Sequence, residues 1–178
     1  AAKKKSFDDM ISSFHGRGEK YDFFVTITGG KDSTFVLYYM TKVLKNNRIL
    51  AFTWDHLFHR ETSWKNMERA IANTGVDFVP YQILDAETTR AVHRGLFRTF
   101  GYTCTICFLL QSAVILNQAI RHRVPFIIAG RTPGQAYLRG TNVPGPISPR
   151  QEVQDRLEIF HYVLKKSLKD ELGKVRTD

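Results

Sequence analysis

Cysteine is nearly absent from this chain of 178 residues: only Cys104 and Cys107 occur. That scarcity excludes a disulfide-stapled scaffold, and two thiols three positions apart read as metal-binding or redox groups rather than a structural bridge. No apolar run approaches the roughly 20 residues that span a bilayer. The opening Ala-Ala-Lys-Lys-Lys-Ser carries charge without the apolar stretch of a secretory signal. A cytoplasmic protein with no membrane partner is the expectation. Acidic residues are in deficit, 17 Asp and Glu against 26 Lys and Arg, for a net charge of +9. Such a balance favours polyanions: nucleotides, nucleotide-sugars, tRNA or acidic partners. The basic residues are nevertheless spread out, with local clusters only at residues 3–5, 121–123 and 165–169. No Arg/Lys run interleaved with aromatics marks a nucleic-acid module. There is no internal repeat and no low-complexity segment. A hydrophobic content of 43% excludes a disordered chain, and the length suits one compact domain covering residues 1–178.

What is present alternates. Helical spacing is expected over residues 6–14, ended by Gly16 and Gly18. Strand patterns follow at 21–27, 49–54, 76–83 and 125–130. Helices are expected over 32–46, 61–73, 85–100 and 108–122, with Gly75 closing the second of these and Asp85 capping the third. Pro80 places the third strand at a sheet edge. The pattern predicts an α/β fold: a doubly wound parallel sheet of about four to five strands, with helices on both faces. Residues 137–150 carry Pro144, Pro146 and Pro149 with Gly140 and Gly145, and read as a long loop before a C-terminal helix at 151–172. Ligands on such sheets bind beyond the carboxyl ends of the strands. That edge collects residues 28–33, 53–60 and 130–135.

Residues 28–33 read Thr-Gly-Gly-Lys-Asp-Ser, directly after the apolar run 23–27 and directly before a helical stretch. Strand, glycine turn and helix build an anion site from backbone: adjacent glycines allow the sharp turn, and the first helical N–H groups have no carbonyl partner within the helix. The helix dipole points the same way, and Lys31 adds a full charge. Thr28 and Ser33 add hydroxyl donors. The natural guest is a phosphate or pyrophosphate. The spacing is not that of a Walker loop, and the adjacent glycines are not the Gly-x-Gly-x-x-Gly dinucleotide fingerprint.

The hexapeptide resembles the Ser/Thr-Gly-Gly-x-Asp-Ser/Thr signature of the PP-loop (N-type) ATP pyrophosphatases, whose fold is adenine nucleotide alpha hydrolase-like. Residues 53–56, Thr-Trp-Asp-His, with 61–67, Glu-Thr-Ser-Trp-Lys-Asn-Met, and the pair Cys104 and Cys107 placed before a helix, resemble the N-acetyl sugar amidotransferases of surface-polysaccharide biosynthesis. The likeness covers roughly residues 7–135. It implies an AMP- and pyrophosphate-forming enzyme that adenylates a carbonyl oxygen, that of an N-acetyl sugar, for attack by ammonia. Two alternatives stand beside it: a tRNA-modifying sulfurtransferase on the same scaffold, and a non-catalytic nucleotide-binding subunit.

The resemblance also assigns roles. ATP would be held by Thr28, Gly29, Gly30, Lys31, Asp32 and Ser33, with Thr53 and Trp54 near adenine or ribose and Gly130 and Arg131 near the α phosphate. Lys31 and Asp32 would be catalytic, the first neutralising the leaving pyrophosphate and the second binding Mg²⁺; plain N-capping competes for Asp32. Cys104 and Cys107 would bind Zn²⁺ or an iron–sulfur cluster, or act as redox thiols. The subgroup's earlier cysteine group has no counterpart here, so a four-thiolate site cannot form within one chain. His56 and His59 could complete a site with these thiols, but by default read as ordinary loop residues. The implied partners are a nucleotide-sugar or sugar acceptor, a separate glutaminase subunit, a second copy of the chain in a homo-oligomer, and, less favoured, tRNA.

Overall fold

The computed structural model describes residues 2–101 and 103–130, together with Glu158 and Lys165. Arg131, the loop at 137–150 and the helix expected at 151–172 lie outside the described residues. In chain order the elements are α1 (Ala2–Phe14), β1 (Phe23–Thr26), α2 (Lys31–Tyr38), β2 (Ile49–Trp54), α3 (Glu61–Thr74), β3 (Asp77–Tyr81), α4 (Ala86–Phe100), α5 (Cys104–Arg121) and β4 (Phe126–Ala129). The four strands form one parallel sheet in the order β3-β2-β1-β4. The fold is α/β and doubly wound: the chain moves outward from β1 to β3, then returns to lay β4 on the other side of β1.

The register pairs Phe23 with Ile49 and with Phe126, and Val25 with Ala51 and with Ile128. Every residue of β1 and β2 is buried, as expected where both faces of a parallel strand are covered. One face, carrying Phe23, Val25, Ile49, Ala51 and Ile128, packs on Ile11 of α1, Leu37 of α2, Met40 just after α2, and Met67 of α3. On the opposite face the Phe24 and Phe52 rings meet tilted by 34°, with centroids 4.9 Å apart. β3 is an edge strand, as Pro80 requires.

The described residues fall into two compact units. One holds α1, α2, α3, the last turn of α5 and the sheet up to Thr53; the other holds residues 54–58 and 82–117.

Several boundaries differ from expectation for identifiable reasons. α1 begins at Ala2 instead of residue 6, since alanine and lysine are strong helix formers. The first strand was expected from residue 21, but Asp22 is engaged in tying the preceding turn. Its buried carboxylate accepts from the Gly16 and Gly18 N–H groups at 2.7 and 2.9 Å and from Arg48 Nε at 3.0 Å. α2 does not run regularly to residue 46. After Tyr38 it widens into one π turn, Tyr39–Val43, closed by the Leu44 N–H on the Tyr39 carbonyl at 2.9 Å.

Candidate functional site

β1 ends and α2 begins within five residues, and the turn between them is tied by its own side chains. The Ser33 hydroxyl accepts from the Thr28 N–H at 3.1 Å, donates to the Gly30 carbonyl at 3.1 Å and lies 3.2 Å from Thr28 Oγ1. Ser33 is buried. The Ser33 hydroxyl thus closes the turn from within. Gly30 occupies the N-cap position with extended backbone and no side-chain cap. Asp32 is therefore the second helical residue and does not cap. Its exposed carboxylate sits in the first turn, where a negative charge suits the dipole. Lys31 is exposed beside it.

Two glycines fit the turn to its neighbours. Gly29 has φ +71°, and a Cβ there would lie 2.2 Å from the Ser63 carbonyl oxygen of α3. Gly130, just past β4, would place a Cβ 2.9 Å from the Asp32 carbonyl. The end of β4 is thus pressed against the first turn of α2, at the point where strand order reverses between β1 and β4.

A groove of about 600 Å³ lies alongside, lined among others by Gly30, Lys31, Asn66 and Arg69. Asn66 donates its side-chain amide to the Gly29 carbonyl at 3.0 Å, which fixes the peptide leading into Gly30. Sequence reading assigned no role to Asn66 or Arg69. Their signal is the i, i+3 spacing that puts both on one face of α3.

Thr53 and Trp54 end β2, as expected, and both are buried. The Thr53 hydroxyl has no hydrogen-bond partner among the described residues. Trp54 meets the His56 ring edge-on at 5.5 Å. His56 accepts from the Phe58 N–H through Nδ1 at 3.1 Å, and His59 packs edge-on to Trp64.

The cysteine pair lies within α5, not before a helix beginning at residue 108. Thr103 accepts from the Cys107 N–H at 3.0 Å and starts the helix there. Cys107 Sγ is 3.6 Å from His93 Nε2, and His93 Nδ1 bonds the Thr89 carbonyl at 2.8 Å. A ring nitrogen that bonds a carbonyl oxygen carries a hydrogen, so Nδ1 is the donor of that second bond. Among the described residues no three His, Cys, Asp or Glu side chains gather to hold a metal ion. Cys107 and His93 provide two of the four ligands that zinc takes, and the side chain of Cys104 lies outside the described residues. For Mg²⁺ the donor set does fit: an exposed carboxylate at the mouth of a turn whose N–H groups suit phosphate oxygens.

Among the described residues, Asp22 is the buried carboxylate with a resolved perturbation. Burial pushes its titration up, but the Gly16 and Gly18 N–H groups and the Arg48 guanidinium outweigh burial and hold it below the ordinary carboxylate range.

No protein-family model matches this chain, and none of the curated proteins matches it.

Proposed function

We propose that this chain is an ATP pyrophosphatase-type amidotransferase. ATP is cleaved between its α and β phosphates. A carbonyl oxygen of the acceptor, an N-acetyl sugar, attacks the α phosphorus, pyrophosphate leaves, and ammonia then displaces AMP from the adenylated carbon. The reading rests on one observation: a glycine turn, closed from within by Ser33, opens α2 at the reversal point of a parallel sheet. Backbone donors in such a place hold oxyanions without any side chain.

Each residue has a task in this scheme. The first-turn N–H groups from Gly30 to Ser33 receive the pyrophosphate oxygens. Lys31 neutralises the charge that grows on them as the bond breaks, which is how positioned cations accelerate phosphoryl chemistry. Asp32 is the residue that would hold Mg²⁺, an ion that screens phosphate charge when bound. Asn66 keeps the Gly29 peptide in orientation. Gly130 leaves room for the backbone of α2.

The deciding experiment measures pyrophosphate and AMP together after adding ATP, Mg²⁺ and ammonium with a panel of N-acetylated sugars; bulk tRNA with sulfide forms the second arm. Pyrophosphate and AMP in equal amounts, dependent on a sugar, are expected. ADP and inorganic phosphate as products would overturn the adenylation scheme, and turnover only with tRNA would move the activity to sulfur transfer.

A further inference from the structure

α2 and α3 pack side by side, and Ser63 in the first turn of α3 meets Gly29. The groove beside the glycine turn is lined by both helices. Gly30, Lys31, Asn66 and Arg69 line it near the turn, and Phe35, Tyr38 and Asn73 line it further along. From Lys31 to Tyr38 the helix rises about 10 Å. On α3 the residues Glu61, Lys65 and Arg69 recur every four positions on one face. Glu61 pairs with Lys65 at 2.5 Å. Among the described residues, Arg69 and Lys31 have no ion-pair partner, and both are exposed. A helical side chain leans toward the helix N-terminus, so the Arg69 stem covers the turn of α3 that carries Asn66. Asn66 shows how near that surface is to the glycine turn: its amide reaches the Gly29 carbonyl at 3.0 Å.

Resting on the reading of the glycine turn as a pyrophosphate site, we infer that Arg69 binds the outer phosphoryl group and makes the site selective for a diphosphate over a single phosphate. The Thr34 N–H already bonds the Gly30 carbonyl at 3.1 Å, so the open donors of α2 are the N–H groups ahead of it. These serve one tetrahedral anion. A second phosphoryl group joined to the first adds charge and needs donors outside the turn. Further along, the groove offers rings and an amide but no cation, which leaves Arg69 as the charged donor beyond Lys31 among the described residues. Its guanidinium presents paired N–H groups that match two oxygens of one phosphoryl group, a geometry that the point charge of Lys31 does not impose.

Calorimetric titration of the whole chain with inorganic pyrophosphate and with orthophosphate, at one fixed Mg²⁺ concentration, tests it. The chain is basic, so the site is identified as the one that Lys31→Ala weakens. Arg69→Ala should weaken pyrophosphate at that site by about tenfold or more and orthophosphate by less than about twofold. The retained orthophosphate binding shows that the variant is folded. Arg69→Lys should recover part of the loss. Lys42→Ala removes an exposed cation outside the groove and should leave both affinities unchanged. Three results would overturn the inference and leave the reading of the turn standing: pyrophosphate affinity unchanged in Arg69→Ala, an equal fall for both anions, or an equal fall in Lys42→Ala. Pyrophosphate binding that Lys31→Ala does not alter, or no binding at all, would overturn the two together.

Discussion

Gly130 lies so close to Asp32 that a single added carbon would stand 2.9 Å from that residue's carbonyl carbon and oxygen and 3.0 Å from the Ser33 nitrogen. All three atoms are backbone, so none can swing aside. Gly130→Ala is expected to push β4 and the first turn of α2 apart and to destabilise the chain by about 1–3 kcal/mol. Gly29→Ala is worse, because strained φ adds to a 2.2 Å clash with Ser63; about 3 kcal/mol or more is expected. Urea unfolding midpoints give the order. If Gly130→Ala proves as stable as the parent, the two elements are not in contact.

Lys31→Ala should lower pyrophosphate release by about 10²-fold or more, as for loss of other preorganised charge-stabilising groups. Lys31 is exposed, so unfolding midpoints should not move. Unchanged turnover would remove the residue from the chemistry.

Asn66→Ala takes away the donor on the Gly29 carbonyl. A stability loss of about 1 kcal/mol is expected from one net hydrogen bond, with a several-fold rise in the KM for ATP. The conservative Asn66→Gln should not restore KM, because the longer side chain displaces the amide. A stability loss with KM untouched would reduce Asn66 to a packing role.

Asp22→Asn removes a buried charge that three donors share and leaves the Arg48 guanidinium with the Gly18 and Glu19 carbonyls in place of its carboxylate. About 2–4 kcal/mol should be lost at pH 7. Because the folded-state titration of Asp22 is depressed, its contribution is fully present above the unfolded value near 3.9 and disappears as pH falls through the lower folded value. The parent and the variant should therefore converge in stability as the solution is acidified below about pH 4. A gap independent of pH down to 2 would show that charge on Asp22 is irrelevant.

The parts of this protein written locally were legible. Asp85 caps α4 by accepting from the Thr88 N–H at 2.8 Å, as its place before a helical pattern required. β2 ran to its expected ends because a continuous apolar run is bounded by polar residues on both sides. Features that depend on neighbours in space were not legible. The π turn after Tyr38 adds one residue to a helix whose sequence carries no mark of it, and it coincides with the complete burial of Met40. The residue type of Ser33 carries no mark of its bonds to the Thr28 N–H and the Gly30 carbonyl, which only the fold reveals.

The internal tie at Ser33 bears on how an anion would be received. A loop that must be gathered from many conformations charges its ordering entropy against every binding event. Here a hydroxyl within the turn has already done that gathering during folding. Ser33→Ala should therefore slow capture of phosphate-bearing molecules as well as loosen their hold, since most copies of the variant would meet the ligand in the wrong shape.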